Sequence, residues 1–540
     1  MAFPSTPGVP SDEDQSLGTP GGKSHFAGLP SGWIDSGPVV APGKGPQTPR
    51  EHMTKPRSTR PATTKNASKA ARPVSPFALT PKKPAPAQPS PGRDAKRKAS
   101  PAKRAAALAR TAGAAARPAA LQARPAAAPR FEGGLGARIN RRAADRLRNG
   151  YLWVYASDIE SVELPAGGEA PALLPVADSR GLLLGTALYS PASQIALRVV
   201  SRQALDEAGW LALLAERLRA AVARRKPMLT DQSNACRLCF SEADDLPGVV
   251  ADKYGDLVIL QLLAKGLHTA GVREVCVRVL REELNPAAIL ERPDPRIREF
   301  EGLPAPDPAP LWLANPNAPV TSATFRLNGL VFQFDANSGQ KTGAFLDQRA
   351  NYAAAAEWAQ RLGATGRALD VCCYQGGFAL HLAEVCGQVT GVDSSRASLE
   401  VAERNVEANH AKIKAQVDWV EGDAFQILRD WSDAGESFDT IVLDPPAFAK
   451  SQRAVEGALR GYKELNLRAL KMMRPGGLLV TCSCSHHVGW TELEACVASA
   501  AVDAHRRVRL LERRGPARDH PVVLNLPETE YLKCLVFEVE

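Results

Sequence analysis

A chain of 540 residues has room for two to four domains, and a hydrophobic content of 44% is enough to build their cores. The net charge of +9 excludes less than it seems to. Residues 1–130 carry 21 Lys and Arg against 6 Asp and Glu, a net of +15, so residues 131–540 carry −6, and a basic body that binds nucleic acid by charge alone is ruled out.

Ten cysteines without framework spacing, no apolar leader and no apolar run of membrane-spanning length point to reduced thiols in a cytoplasmic protein, with no membrane. Asp12-Glu13-Asp14 argues against a secretory or transit leader.

Residues 1–130 are too poor in branched and aromatic side chains to offset ordering entropy, and read as a disordered basic tail. Lys96-Arg-Lys98 and Lys103-Arg104 suit non-specific contact with nucleic acid, but a solvated tail or a misassigned start site is the simpler account. Residues 137–201 read as a small β-barrel, with short apolar runs at 172–177, 185–189 and 195–200. A basic, helix-like lead-in over 138–150 precedes Tyr151-Leu-Trp-Val-Tyr155. Arg138, Arg141 and Arg142 suit RNA phosphates and Trp153 suits base stacking, although at least one of Trp153 and Tyr155 should be barrel core.

Residues 202–335 read as a second α+β unit. Helices are expected over 205–225 and 271–284, strands over 237–240, 248–252 and 257–263, a charged loop over 291–310 and a hairpin over 324–335. Cys236-x-x-Cys239 resembles half a zinc site, but no matching pair follows and Cys239 falls in a strand pattern, so no metal is expected.

Residues 336–540 alternate strand and helix from Arg367 onwards. Strands are expected at 368–372, 389–393, 417–421, 440–444, 478–483, 508–512 and 532–538, with helices at 378–385, 395–409, 424–431, 459–473 and 491–504. This predicts an α/β, doubly wound domain whose last two strands pair antiparallel.

Its chemistry gathers at strand ends. The run Phe438-Asp-Thr-Ile-Val-Leu-Asp-Pro-Pro-Ala-Phe448 is a buried strand stopped by Asp444 and two prolines. The rigid turn holds a carboxylate where open α/β sheets bind ligands, and is similar to the turn with which many class I methyltransferases hold a planar nitrogen-containing ring. In Asp370-Val-Cys-Cys-Tyr-Gln-Gly-Gly-Phe378, Gly376 and Gly377 open a helix and let backbone approach a ligand. Asp393 and Asp423 end the next two strands. The three acids fit S-adenosyl-L-methionine better than NAD, since the loop is not G-x-G-x-x-G. Cys372 and Tyr374 stand where such loops often have glycine.

Thr481-Cys-Ser-Cys-Ser485 follows a strand and places a thiol in the same crevice as Asp444. Pyrimidine C5 is a poor nucleophile until a thiolate adds to C6, and an acid at the ring nitrogen then stabilises the developing charge. Free cysteines are usually buried small hydrophobes, which is the expectation for Cys482. His486 and His487 are expected to serve a loop.

Trp153-Val, Tyr189-Ser-Pro-Ala-Ser-Gln-Ile195, Glu242-Ala-Asp-Asp-Leu-Pro-Gly248, Lys341-Thr-Gly-Ala-Phe-Leu-Asp-Gln-Arg349, Gly376-Gly-Phe, Asp444-Pro-Pro, Arg460-Gly-Tyr-Lys463 and Ser483-Cys-Ser485 occur in one order. In them the chain from about Arg138 to Glu540 resembles the bacterial 23S rRNA 5-cytosine methyltransferases with an N-terminal PUA domain. The resemblance implies a PUA barrel, a connecting α+β domain and a Rossmann-like methyltransferase domain. It implies Cys484 as nucleophile beside Asp444. It implies S-adenosylmethionine held by Asp370, Tyr374, Gly376, Gly377, Phe378, Asp393, Asp423 and Asp444, with a strap of Thr342, Phe345, Asp347, Gln348 and Arg349. Asp347 and Arg349 would otherwise be a surface ion pair of little worth. Lys450, Arg460 and Lys463 join Arg138, Arg141, Arg142 and Trp153 as RNA-binding candidates. The expected partner is 23S ribosomal RNA before full subunit assembly, with a homodimer left open. Two rivals stand: methylation of an exocyclic amine such as guanine N2 or adenine N6, and an RNA-binding assembly factor with a vestigial fold, against which the intact acids count.

Overall fold

The computed structural model describes residues 135–165, 170–337, 344–449 and 451–540. The reading of residues 1–130 and the assignments of Thr342 and Lys450 lie outside them.

The first sheet has six strands, β1 Gly136–Ile139, β2 Trp153–Tyr155, β3 Ile159–Glu163, β4 Leu173–Asp178, β5 Leu183–Tyr189 and β6 Ile195–Ser201, in the order β2-β6-β5-β4-β1-β3. The basic lead-in is only partly helical. Ala137 and Ile139 point inwards as strand β1, and α1 (Arg141–Arg148) starts where Asn140 Oδ1 accepts from Ala143 N–H at 2.9 Å. Ala143, Ala144 and Leu147 close its core.

The second sheet holds β7 Ala235–Phe240, β8 Val249–Tyr254, β9 Leu257–Leu262, β10 Ala288–Glu291 and β11 Trp312–Leu313 in the order β11-β10-β9-β8-β7. Helices α2 (Glu207–Arg225) and α3 (Ala270–Leu284) bury Trp210, Leu214, Val275 and Val279 in one core with residues of this sheet. The segment read as a charged loop contains a short helix, α4 (Pro295–Phe300), capped by Asp294 with Pro295 at its first position. Cys236 and Cys239 are fully buried, and burial pushes the Cys236 thiol up to about 12, as for a core residue.

Strands β12 (Ser322–Leu327) and β13 (Leu330–Asp335) form the expected hairpin. Asn328 and Gly329 take φ of 53° and 87°, the left-handed pair that a tight two-residue turn requires.

The third sheet contains β14 Arg367–Val371, β15 Gln388–Asp393, β16 Gln416–Glu421, β17 Phe438–Leu443, β18 Met473–Ser483, β19 Val508–Arg514 and β20 Lys533–Val539. Its order is β16-β15-β14-β17-β18-β20-β19, parallel except for β20, which is antiparallel to both neighbours. Helices α5 (Arg349–Leu362), α6 (Gly377–Ala383), α7 (Arg396–Ala408), α8 (Ala424–Ala434), α9 (Val455–Met472) and α10 (Trp490–Asp503) complete it. The two-residue period of the strands feeds two cores. Ile441 and Leu443 join one and Val442 joins the other. The chain leaves β14 towards β15 on one side and returns as β17 on the other. That switch point opens a crevice at the strands' carboxyl ends.

Candidate active site

Asp444 directly follows β17. Its N–H donates to the Val371 carbonyl at 3.1 Å, so the strand ladder fixes its backbone. Its Oδ2 accepts from Gln348 Nε2 at 2.9 Å, and Gln348 Oε1 accepts from Asn351 Nδ2 at 2.6 Å. Burial raises the Asp444 carboxyl to about 7, the nearby Asp347 adds to this, and the Gln348 bond opposes it. A carboxyl poised there can both donate and take up a proton near neutral pH.

Cys484 lies one residue beyond β18, with Sγ 4.0 Å from the Pro445 carbonyl oxygen. The serines on either side explain its placement. Ser483 Oγ donates to Tyr462 Oη at 2.9 Å, Ser485 Oγ shares a bond with the same hydroxyl at 3.0 Å, and Ala449 N–H donates to Ser485 Oγ at 3.3 Å. Both serines are buried, so the pair pins the half-exposed cysteine between them. Cys482 is fully buried opposite Cys534, and burial holds its thiol well above the usual range.

On the other side of the switch point, Asp393 Oδ2 accepts from Tyr374 N–H and Oδ1 from Ser395 N–H, each at 2.9 Å. Asp423 caps α8, its Oδ1 accepting from Gln426 N–H at 3.0 Å. Cys372 and Tyr374 sit at φ of 62° and 50°, left-handed values that cost L-residues about 1 kcal/mol or more each, which is why glycine suits these positions. The glycines that follow serve packing. A Cβ on Gly377 would fall 2.4–2.7 Å from the Tyr352 ring, and one on Gly376 would fall 2.6 Å from Leu380 Cδ1.

A cleft of about 1620 Å³ joins these groups. Small-molecule sites run to about 1,000 Å³, so it has room for a cofactor and a flipped nucleotide together. Asp393, Asp423, Asp444, Phe345, Tyr374, Asp347, Gln348, Cys484 and Trp153 line it. Phe345 is 47% exposed and meets Tyr374 edge-on at 5.2 Å.

Several of the expected site residues lie outside the large cleft. Asp370 is fully buried and stays out of the large cleft. Its Oδ2 accepts from Ala379 N–H at 2.8 Å and anchors α6, and burial pushes its carboxyl well up. Phe378 is buried edge-on against Tyr352 at 4.8 Å, also away from the large cleft. Arg349 points away, donating to the Ala235 carbonyl at 2.8 Å and pairing with the buried Asp519 at 3.3 Å. It is no surface partner of Asp347, which instead accepts from the Tyr531 hydroxyl. Arg460 pairs with Glu456 at 2.6 Å and Lys463 with Asp503 at 2.7 Å, both outside the cleft. Arg141 and Arg142 are exposed on α1, and Arg138 is half-buried on β1.

Trp153 does reach the cleft, although it belongs to the first sheet. Its Nε1 donates to Glu242 Oε1 at 2.8 Å. Sequence reasoning missed much of this wall: Phe240, His520 and Tyr531, whose rings lie 5.1 and 6.1 Å from Phe240, and His486, 5.9 Å from Tyr531. It also missed Lys533, which is 2% exposed within the apolar run of β20. A lone cation among Leu532, Cys534, Leu535 and Val536 was the available signal.

A doubly wound sheet carrying a strand-end acid, an Asp-Pro-Pro turn and a composite cleft defines a class I methyltransferase fold joined to a separate β-domain. The family model for a PUA-like domain matches residues 137–202, and that for an S-adenosylmethionine-dependent methyltransferase matches residues 251–534. The ribosomal RNA large subunit methyltransferase I of Pseudoalteromonas translucida is 36% identical over 399 residues, covering 73% of this chain and 96% of that one. Its namesake from Erwinia tasmaniensis is 37% identical over 385 residues, covering 71% and 93%. A candidate S-adenosylmethionine-dependent methyltransferase from Streptococcus mutans shares the fold with a TM-score of 0.62 at 19% identity, over 75% of this chain and all of that one. The chain belongs to the S-adenosylmethionine-dependent methyltransferases of the ribosomal RNA large subunit methyltransferase I family. The residues present suit the cofactor: acids at adjacent strand ends match ribose hydroxyls, and Asp347 and Asp444 match a sulfonium cation.

Proposed function

We propose that this methyltransferase acts in the cytoplasm on large-subunit ribosomal RNA, before the subunit is fully assembled, and forms 5-methylcytosine through a covalent bond between Cys484 and C6 of the base. The observation that carries this reading is the pinned Cys484 beside the Asp444-Pro-Pro turn, with an acid poised at about 7 in the same cleft. The names of the relatives supply the RNA class, and among the described residues no helix is long and apolar enough to cross a membrane. The body works as three parts, 137–201 and 202–335 presenting RNA to 336–540, consistent with Trp153 and Phe240 sharing the cleft with Cys484.

In this mechanism the Cys484 thiolate forms the S–C6 bond, and the C5–C6 π pair moves onto the ring as Asp444 gives a proton to the ring nitrogen. S-adenosylmethionine, when bound, supplies an electrophilic methyl group. Asp393 and Asp423 would hold its ribose and adenine, while Asp347, Gln348 and Phe345 would cover it. Once C5 carries the methyl group, its proton passes to water, the freed pair re-forms the C5–C6 double bond, and the S–C6 bond breaks so that Cys484 leaves as thiolate, while Asp444 takes its own proton back from the ring nitrogen.

The test is 5-fluorocytosine at the target position. Fluorine cannot leave as the C5 proton does, so wild-type protein and Cys482→Ala should accumulate a protein–RNA crosslink. Cys484→Ala should show neither crosslink nor methylation. If both cysteine variants methylate normally, the exocyclic-amine chemistry replaces this reading.

A further inference from the structure

A nucleophilic thiol needs a nearby positive charge to ionise at neutral pH. The titratable groups around Cys484 and Lys533 come from seven elements. They are Asp347 ahead of α5, Asp444 after β17, Tyr462 on α9, His486 after β18, Glu492 on α10, and Glu528, Glu530 and Tyr531 ahead of β20, together with Arg237 of β7 and Lys533 of β20. Most are anionic or phenolic. Of the cations, Arg237 is held bidentately by Asp252 at 2.8 and 2.9 Å. His486 is exposed, and its pKa is lowered by desolvation and by the charge of Lys533, so it is no strong source of positive charge.

Lys533 remains. It pairs across the sheet with Ser483, and its Nζ donates to the Ser485 and Tyr531 carbonyls, both at 2.8 Å. It therefore sits within one peptide unit of Cys484 on the strand beside it. Its hydrogen-bond partners are thus two neutral carbonyls, which hold a buried ammonium. Burying such a charge is costly; Glu530 and Glu492 offset part of it without direct contact, and a thiolate at Cys484 adds to the compensation.

Resting on the nucleophile reading above, we infer that Lys533 is a positioning residue that holds Cys484 as a thiolate, both as it attacks C6 and as it leaves. The thiol proton goes to solvent and Lys533 transfers none. Burial lowers the Lys533 pKa to about 8, with Cys484, Glu530 and Glu492 acting in the opposite direction, so the ammonium form prevails at neutral pH.

Lys533→Gln keeps a donor for the carbonyls and removes the charge. Iodoacetamide alkylation of Cys484, followed by mass mapping of its peptide across pH, reads the thiolate directly and needs no methyl transfer. The rate at pH 7 should fall roughly tenfold or more, with the titration midpoint moved up, and Lys533→Arg should recover part of it. An unchanged midpoint in a cooperatively melting Lys533→Gln protein overturns the inference. A reciprocal measurement covers the case in which that variant does not fold. In Cys484→Ser, the lysine ε-carbon NMR titration of Lys533 should move to lower pH than in wild type, and an unmoved curve is equally fatal. Neither result depends on Cys484 being the nucleophile. If the fluorocytosine crosslink fails while the thiol still titrates with Lys533, only the chemistry assigned to it falls.

Discussion

The two sides of the switch point are built by opposite rules. At the ends of β17 and β18, side chains hold one another: Gln348 holds Asp444, and Tyr462 holds both serines around Cys484. At the ends of β14 and β15, side chains hold backbone. Asp370 grips the Ala379 N–H, and Asp393 grips Tyr374 and Ser395. The first arrangement fixes reactive atoms. The second fixes the path of a loop forced through left-handed conformations at Cys372 and Tyr374. Asp370 and Asp444 are both acids raised by burial at the ends of adjacent strands, yet only Asp444 reaches the large cleft. A strand-end acid thus takes its role from what surrounds it.

The contrast breaks most sharply at Cys484. Cys484→Ala should reduce methylation of stripped ribosomal RNA to background by scintillation counting, while S-adenosylmethionine affinity stays near wild type by calorimetry. Next comes Asp444→Asn, which should slow methylation by roughly 10²–10⁴-fold. For wild type the rate should decline above about pH 7 as the acid loses its proton. Stability carries the same sign. A carboxyl raised in the folded state favours folding at low pH, and that advantage is lost as pH rises through about 7. Asp444→Asn should therefore melt higher than wild type at pH 8, by up to ~2 kcal/mol, and the gap should close near pH 4.

On the opposite side, Asp393→Ala should weaken cofactor binding by about 1.5–3 kcal/mol in a calorimetric titration, through a lost ribose contact and a loosened Tyr374 loop. Unchanged affinity would remove Asp393 from the cofactor site and leave it purely a loop anchor. Gly377→Ala should cost about 1–3 kcal/mol in denaturant unfolding, because its methyl group meets the Tyr352 ring. The smallest effect belongs to Arg460→Ala. Losing its exposed pair with Glu456 should change stability by no more than about 0.5 kcal/mol. A marked loss of RNA affinity there would place Arg460 on the RNA surface.

What the sequence revealed follows from the range of the forces involved. The strands and helices of the third sheet were legible because periodicity is local, and the Asp444 and Cys484 positions because a strand end is local too. One helix escaped. Arg349–Leu362 presents Tyr352, Ala355, Ala356 and Ala359 at helical spacing and stops at Gly363 with φ of 69°, but its small side chains give little contrast between faces. The contacts of Arg349 and Asp370 were not legible, because their partners, Asp519 and the Ala379 amide, could not be known before the fold brought them together. The wall that Phe240, His520 and Tyr531 build beside Trp153 escaped for the same reason, since its members come from distant stretches of chain.

That wall bears on how such a protein can be taken apart. Trp153 is tied to Glu242, and the Tyr151 hydroxyl donates to Glu528 Oε1 at 2.5 Å, so the first sheet is fastened both to the middle of the chain and to its C-terminal loop. A transplant of that sheet onto another catalytic body would carry away one side of the binding chamber and leave Glu242 and Glu528 without their mates. Recombination at this boundary should succeed only when the acceptor already has matching acids, which makes the module less portable than its separate sheet suggests.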